Sequence, residues 1–453
     1  MRLTILGGGG FRVPLVYSAL MSDRGPGRVT EVALYDADAS RLTAIGLVLR
    51  QLADAALARG IDVKPPVVTE TTDLDTALRG AHFVFSAIRV GGLEGRATDE
   101  RVAIELGLLG QETTGAGGIA YGLRTLPVAT AIARRIASLA PSAWVINFTN
   151  PAGMVTEAMG QDLGDRVIGI CDSPSGLGRR AALALGLDPD HASYDYAGLN
   201  HLGWLRGIRA GGVEHLPELL ADDDALTSFE EGRLFGADWL RSIRSIPNEY
   251  LHYYYFARET REAVAASKRT RGRFLLEQQA AFYAATARQP AQALALWQRT
   301  RAERESTYMV ESREVAGAGA RDERDMEAGG YEQVALSLMR AIAHNEQAGL
   351  ILNVRNRGTL RHLDDDAVVE VPCTVDANGA RPTAVSQLAD HQAGLVCAVK
   401  AVERSTIEAA ATGSRSTALR AFAWHPLVDS VSVAGRLLDS YAAEQPELSR
   451  FAR

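Results

Sequence analysis

A cysteine, a histidine and a run of tyrosines, each set near glycine or proline, are the side chains of this chain best placed for chemistry. In Gly169-Ile170-Cys171-Asp172-Ser173-Pro174 a thiol closes an aliphatic run and opens a turn, the position at which a doubly wound sheet displays functional groups. A buried, inert thiol is the alternative. Gly198-Leu199-Asn200-His201-Leu202-Gly203 sets an amide and an imidazole between glycines, which favours display over core packing, although a structural histidine fits too. One thiolate and one imidazole together suit a first-row divalent ion and leave positions open for substrate oxygens, a catalytic rather than a closed structural site. After Pro247, tyrosines at 250, 253, 254 and 255 crowd one segment. A phenol beside a cation can act as a base, whereas ring packing accounts for the other tyrosines, and periodicity does not choose among them. Arg89, Arg96, Arg269, Arg271 and Arg273 fall near expected loop or helix ends, where a guanidinium either clamps a phosphate or stays solvated.

A second group of residues speaks for a dinucleotide. Leu3–Leu6, then Gly7, Gly8, Gly9 and Gly10, then Phe11 and Arg12 give a strand, a glycine cluster and a helix start. Glycine lets the backbone turn sharply and approach a pyrophosphate at the helix N-terminus. The pattern departs from G-x-G-x-x-G, since Val13 or Pro14 stands where the third glycine belongs; a purely structural turn is the other reading. Asp36 ends the second expected strand, where a carboxylate accepts hydrogen bonds from ribose hydroxyls and repels a 2′-phosphate, favouring NAD over NADP. Its alternative role is a helix N-cap for the segment after Ala39.

These groups need a scaffold. Leu3–Leu6, Glu31–Tyr35, Phe83–Ile88, Trp144–Phe148 and Val167–Ile170 read as strands, alternating with helical patterns such as Arg41–Arg59 and Leu126–Leu139. That is an α/β, Rossmann-type parallel sheet. Beyond about Asp190 helical patterns dominate (Arg273–Arg288, Tyr331–Asn345, Ala384–Thr412), with Val368–Val375 as an isolated strand and Arg301–Glu327 as a charged mobile loop. The expected division is a nucleotide domain over 1–195 and a mainly helical α+β second lobe over 196–453, which binds substrate and metal. The net charge of −7 offers no field to gather nucleic acid, though a local basic pocket can hold one phosphate. Three cysteines are too few, and odd in number, for a disulfide framework and suit a reducing compartment. The apolar stretch at Met1–Leu6 is too short for a secretory signal, and Arg134 and Arg135 interrupt Val128–Ala140 before the roughly 20 residues a bilayer requires. The expectation is a cytoplasmic enzyme with no membrane partner.

Almost the whole chain resembles glycoside hydrolase family 4, the NAD- and manganese-dependent glycosidases that include 6-phospho-β-glucosidases and 6-phospho-α-glucosidases. The resemblance rests on Gly7–Gly10 with Asp36, Ile88–Glu100, Gly110–Gly118, Ile146–Met154, Cys171–Pro174, Gly198–His201, Ile246–Leu251 and Val371–Cys373. It implies that Gly7–Gly10, Phe11, Arg12 and Asp36 bind NAD, that Cys171 and His201 hold Mn²⁺, and that Tyr250 removes the sugar C2 proton. It implies further that Arg96, Asn150 and Arg271 contact the sugar phosphate and that Asp172 assists leaving-group departure. The implied reaction is the exception to two-carboxylate glycoside hydrolysis: oxidation at C3, deprotonation at C2, elimination at C1, water addition and return of the hydride. Asp172 after the metal cysteine resembles the phospho-α members, while Arg89–Glu94 and Asn147–Met154 look closer to the phospho-β enzymes; the larger set favours a 6-phospho-β-glucoside. Family habit implies a homodimer or homotetramer. An NAD-dependent dehydrogenase of a sugar or hydroxy acid shares fold and cofactor but has no need of the cation and phenol.

Overall fold

Short aliphatic runs that end at glycine or a polar turn become the strands of one 13-stranded sheet. The computed structural model describes residues 1–25, 27–60, 64–319 and 330–452. In chain order the strands are β1 (Arg2–Leu6), β2 (Glu31–Tyr35), β3 (Val67–Thr71), β4 (Phe83–Ser86), β5 (Trp144–Asn147), β6 (Val167–Gly169), β7 (Ser193–Leu199), β8 (Leu202–Ala210), β9 (Val213–Glu214), β10 (Ile246–Pro247), β11 (Ala348–Arg355), β12 (Val368–Asp376) and β13 (Gly379–Pro382). The order β3-β2-β1-β4-β5-β6 is all parallel, the doubly wound nucleotide-binding arrangement. Alternation along these strands serves two faces: Leu3, Ile5, Phe83, Phe85 and Ile146 join one core, and Leu6, Val84 and Val145 the other. Both faces are covered by crossover helices, which is why the strands read as unbroken apolar runs.

The sheet does not stop at β6. It continues antiparallel through β11, β12, β7, β8 and β10, so the strand expected alone at Val368–Val375 is β12, paired with β11, β13 and β7. Its neighbours escape sequence reading for a physical reason: β7 (SYDYAGL) alternates polar residues with aromatics, and glycines interrupt β8. Strand β7 also spans the expected division near residue 195. The expected loop over Arg301–Glu327 is another correction. Its first part is helical, in Ala293–Ser306 and Val310–Ala316, where pairs such as Arg301–Glu305 make the charge compatible with a helix; residues 320–329 lie outside the described residues. The helix expected from Ala384 begins at Asp390. Among the described residues no helix is long and apolar enough to cross a membrane.

One hydrogen-bonded row crosses most of this sheet: Tyr35, Leu6, Ser86, Asn147, Gly169, Asn353, Glu370, Gly198 and Gly203 are successive register partners. Asp36, Gly7, Asn150, Cys171 and His201 each follow a member of the row within three residues. The backbone N–H of Asn248 donates to the Gly203 carbonyl at 2.9 Å, which brings Tyr250 to the same region.

Candidate active site

A cavity of about 940 Å³ runs from the glycine turn after β1 to the helices of the second lobe. At one end stand Gly7, Gly10, Phe11, Arg12 and Asp36; Asn150, Cys171, Asp172, His201 and Tyr250 lie along its wall, with Arg96 and Arg271 also lining it. Gly8 and Gly9 stand outside the lining. A Cβ on Gly8 would come within 2.7 Å of Leu34 Cβ, so that glycine serves strand-to-turn packing rather than the cavity.

The glycine turn is tightly specified. Gly7 takes φ +82°, and a Cβ there would meet the Ala87 backbone within 2.9 Å. Gly7 and Gly8 N–H both donate to the Tyr35 carbonyl, and Gly10 N–H donates to Gly7 at 2.8 Å. Asp36 accepts from Gly9 N–H at 3.0 Å and from Asp38 N–H at 3.1 Å, while the N-cap of the next helix is Asp38. The second lobe holds this turn through its carbonyls: Tyr283 Oη donates to Gly9 (2.7 Å), Trp297 Nε1 to Phe11 (2.8 Å) and Tyr331 Oη to Arg12 (2.9 Å).

In the middle of the cavity His201 and Tyr250 stack with ring centroids 3.7 Å apart and planes 4° from parallel. His201 is in the left-handed region (φ +61°), its Nδ1 3.1 Å from Thr113 Oγ1. Burial lowers its pKa to about 4, so it is neutral at physiological pH and able to offer a lone pair. Burial, reinforced by Glu370 and Asp172, pushes the Cys171 thiol well above its ordinary range. Burial also lifts Tyr250, helped by Tyr308 and Glu249, and the hydroxyls of Tyr308 and Tyr250 lie 3.0 Å apart. Next to Tyr250, Glu249 is raised to about 8 by burial and by Glu231, and accepts from Ser173 Oγ at 2.6 Å.

The arginines divide by their partners. Arg96 is buried between two carboxylates, with Nε 2.8 Å from Glu100 Oε1 and Nη1 2.8 Å from Glu112 Oε1. Burial opposes ionisation of Glu112, yet Arg96 and Arg89 together hold its carboxyl far below the usual range. Arg271 opens the helix Arg271–Arg288, capped by Thr270, and donates to Thr307 Oγ1 (2.5 Å) and the Arg304 carbonyl (2.8 Å). Arg304 also lines the cavity, and among the described residues no carboxylate pairs with its guanidinium or with that of Arg271. Burial and the neighbouring cations lower both, Arg271 to about 10, with Arg12 and Arg271 acting on Arg304. This excess of buried positive charge is built for an anion. Arg269 and Arg273 point elsewhere, both pairing with Glu277 on the surface.

A doubly wound nucleotide-type sheet whose adjoining cavity combines a thiol, an imidazole, a phenol and several arginines defines a cofactor-using enzyme of anionic substrates. The family 4 glycosyl hydrolase model matches residues 2–187 and its C-terminal domain model residues 196–428. The chain belongs to that family. It is 32% identical to the probable 6-phospho-beta-glucosidase of Bacillus subtilis, over 97% of this chain and 95% of that one. It is 29% identical to 6-phospho-alpha-glucosidase 1 of Lacticaseibacillus paracasei, over 96% and 95%. The structure of the 6-phospho-beta glucosidase from Thermotoga maritima with manganese, NAD+ and glucose-6-phosphate superposes with a TM-score of 0.79 at 26% identity, covering 99% of both chains.

The residues present fit both groups that the family uses. The left-handed Gly7, the close-packed turn and Asp36 form a cradle of dinucleotide type. For the metal, the described residues contain no cluster of three or more His, Cys, Asp or Glu, and Cys171 and His201 are the thiol and imidazole that line the cavity. A thiol kept protonated first by burial and then by nearby carboxylates, a neutral imidazole and the buried, unpartnered Oδ1 of Asn150 make a site that a cation relieves. Arg304, Tyr308 and Glu112 are the residues that sequence reasoning passed over. Glu112 sat inside the glycine-rich motif Gly110–Gly118, whereas the other two lay in the stretch whose charge suggested a loop.

Proposed function

We propose that this chain is an NAD- and Mn²⁺-dependent 6-phospho-glucosidase, acting on 6-phospho-β-glucosides, with Tyr250 as the base that removes the C2 proton. The observation that carries this reading is the His201–Tyr250 stack in the same cavity wall as Cys171. Bound NAD⁺ and divalent metal supply reversible oxidation at C3 and polarisation of the neighbouring sugar oxygens, which acidify C2. Gly7–Gly10, Phe11, Arg12 and Asp36 hold the dinucleotide, Cys171 and His201 the metal. Arg96, Arg271 and Asn150 orient the sugar phosphate, joined by Arg304, which makes no ion pair with a carboxylate among the described residues. Tyr250, as the phenolate, takes the proton from C2 and becomes neutral, the charge passing to the oxidised sugar; Tyr308 Oη donates to the Tyr250 oxygen at 3.0 Å and orients it. Asp172 stands in the cavity where it can assist departure of the aglycone oxygen. Elimination passes through a planar C1, so the anomer is set by fit rather than by the chemistry, and the β preference rests on the motifs at Arg89–Glu94 and Asn147–Met154. The cysteine content favours a cytoplasmic enzyme, and we expect two or four copies to associate.

The test is release of p-nitrophenol from the α- and β-glucoside 6-phosphates, with Mn²⁺ and NAD⁺ each added or withheld. Release from the β compound that needs both, without net NADH, is the expected result. Net NADH formation without release marks a dehydrogenase instead.

A further inference from the structure

The two proposed metal ligands are borne by strands that never touch. Cys171 follows β6 and His201 follows β7, and between them lie β11 and β12. The join is narrow on both sides: β6 meets β11 at Gly169↔Asn353, β12 meets β7 at Glu370↔Gly198, and Asn353 and Glu370 are partners in register. Glu370 is 1% exposed and its carboxylate gathers three donors. Its Oε1 accepts from Asn353 Nδ2 at 2.9 Å and Asn200 Nδ2 at 3.0 Å, and its Oε2 from Tyr196 Oη at 3.1 Å. The join at β6 is close-packed: a Cβ on Gly169 would come within 2.7 Å of both Thr156 Oγ1 and Asn353 Cβ. Asn200 immediately precedes His201, whose left-handed backbone persists only where its surroundings hold it.

We infer that Glu370 is a positioning residue that sets the separation and orientation of Cys171 and His201, through Asn353 on one side and Asn200 and Tyr196 on the other. The inference rests on the proposed reading of that pair as metal ligands. Once ionised, a carboxylate suits the task because it is acceptor-only and can take several donors at once. An amide of the same shape turns an NH₂ toward at least one of those donors and leaves a buried group unsatisfied. The cost falls on the Asn200–His201 turn, and so on the metal.

The experiment measures Mn²⁺ binding by loss of the free-ion electron paramagnetic resonance signal, with NAD⁺ and glucose 6-phosphate present, and NAD⁺ affinity separately. Glu370→Gln is expected to weaken Mn²⁺ binding roughly 10- to 100-fold, the range for groups that orient metal ligands, with NAD⁺ affinity within about twofold. Wild-type Mn²⁺ affinity in that variant overturns the inference. Should Glu370→Gln lose NAD⁺ binding as well, Tyr196→Phe decides: a smaller loss of Mn²⁺ affinity supports the inference, and an unchanged affinity overturns it. Cys171→Ser and His201→Ala form the separate arm. If both bind Mn²⁺ as the wild type does, the ligand reading itself fails and the positioning role falls with it; if they lose Mn²⁺ while Glu370→Gln keeps it, only the positioning role fails.

Discussion

Tyr250 by itself is a poor base, since burial, Tyr308 and Glu249 all raise its pKa. Only positive charge can make it competent, and the positions beside it in the cavity wall are those of the proposed metal ligands. Tyr250→Phe should therefore abolish exchange of the C2 proton with solvent deuterium while NAD⁺ affinity stays within about twofold; exchange at the wild-type rate points to another base. The arginines call for a different measurement. Arg304 makes no ion pair among the described residues; burial, Arg12, Arg271 and Arg96 disfavour its charge and Glu112 offsets them only in part, so a bound anion would add to that compensation. Arg304→Gln should raise KM for the phosphorylated substrate at least tenfold, about 1.4 kcal/mol, with a smaller change in kcat. Equal losses in kcat and kcat/KM, with KM unchanged, would assign Arg304 to the transition state instead. Cys171 and Asp36 stood out in the sequence because each ends an apolar run beside a turn, and His201 because it stands between glycines. Arg304 and Tyr308 did not, since nothing local separates a cavity arginine from a solvated one.

At the scale of elements, five strands of the parallel half were readable because strands covered on both faces leave continuous aliphatic runs, whereas the edge strand β3 (VVTET), largely exposed and polar, was not. Of the antiparallel half β12 was readable, though not its partners; β7 and β8 were not, because they carry polar residues and glycines whose reason lies in partners far along the chain. Gly203 illustrates this: a Cβ there collides with the hydroxyl of Tyr196, the residue that donates to Glu370. The docking of the second lobe was equally hidden. Tyr283, Trp297 and Tyr331 look like ordinary core aromatics, yet each donates a hydrogen bond to the glycine turn. Trp297→Phe removes a buried donor and leaves the Phe11 carbonyl unpaired, at a cost of about 1–3 kcal/mol. Because that carbonyl belongs to the turn that would carry the dinucleotide, the expected outcome is weaker NAD⁺ binding together with a lower melting temperature. A lower melting temperature with unchanged NAD⁺ affinity would confine the role of Trp297 to packing.

Across the whole molecule, buried titratable groups pull stability in opposite directions as pH changes. Burial lowers His252 and His425 to about 4 from an ordinary value of 6.5. Their contribution is full above 6.5 and is lost as pH falls toward 4, because the folded state resists the proton that the unfolded chain accepts. Glu370 and Glu249 run the other way, raised to about 7 and about 8, so their contribution is full below about 4.5 and is lost as pH rises through those values. Between 4.5 and 6.5 the two sets oppose each other, which hides each in the melting curve of the parent enzyme. His425 is 5% exposed, stacks on Tyr254 and accepts a hydrogen bond from Leu427 N–H at 3.1 Å, a contact that a glutamine oxygen can reproduce. In His425→Gln the acid-side penalty of one histidine disappears, worth up to roughly 3 kcal/mol at pH 4 on the scale of 1.4 kcal/mol per pKa unit. The variant's melting temperature minus the parent's should therefore rise steadily as pH drops from 7 to 4. A difference that stays constant over that range means His425 takes up its proton equally in the folded and unfolded chains, and that its burial carries no pH-dependent cost.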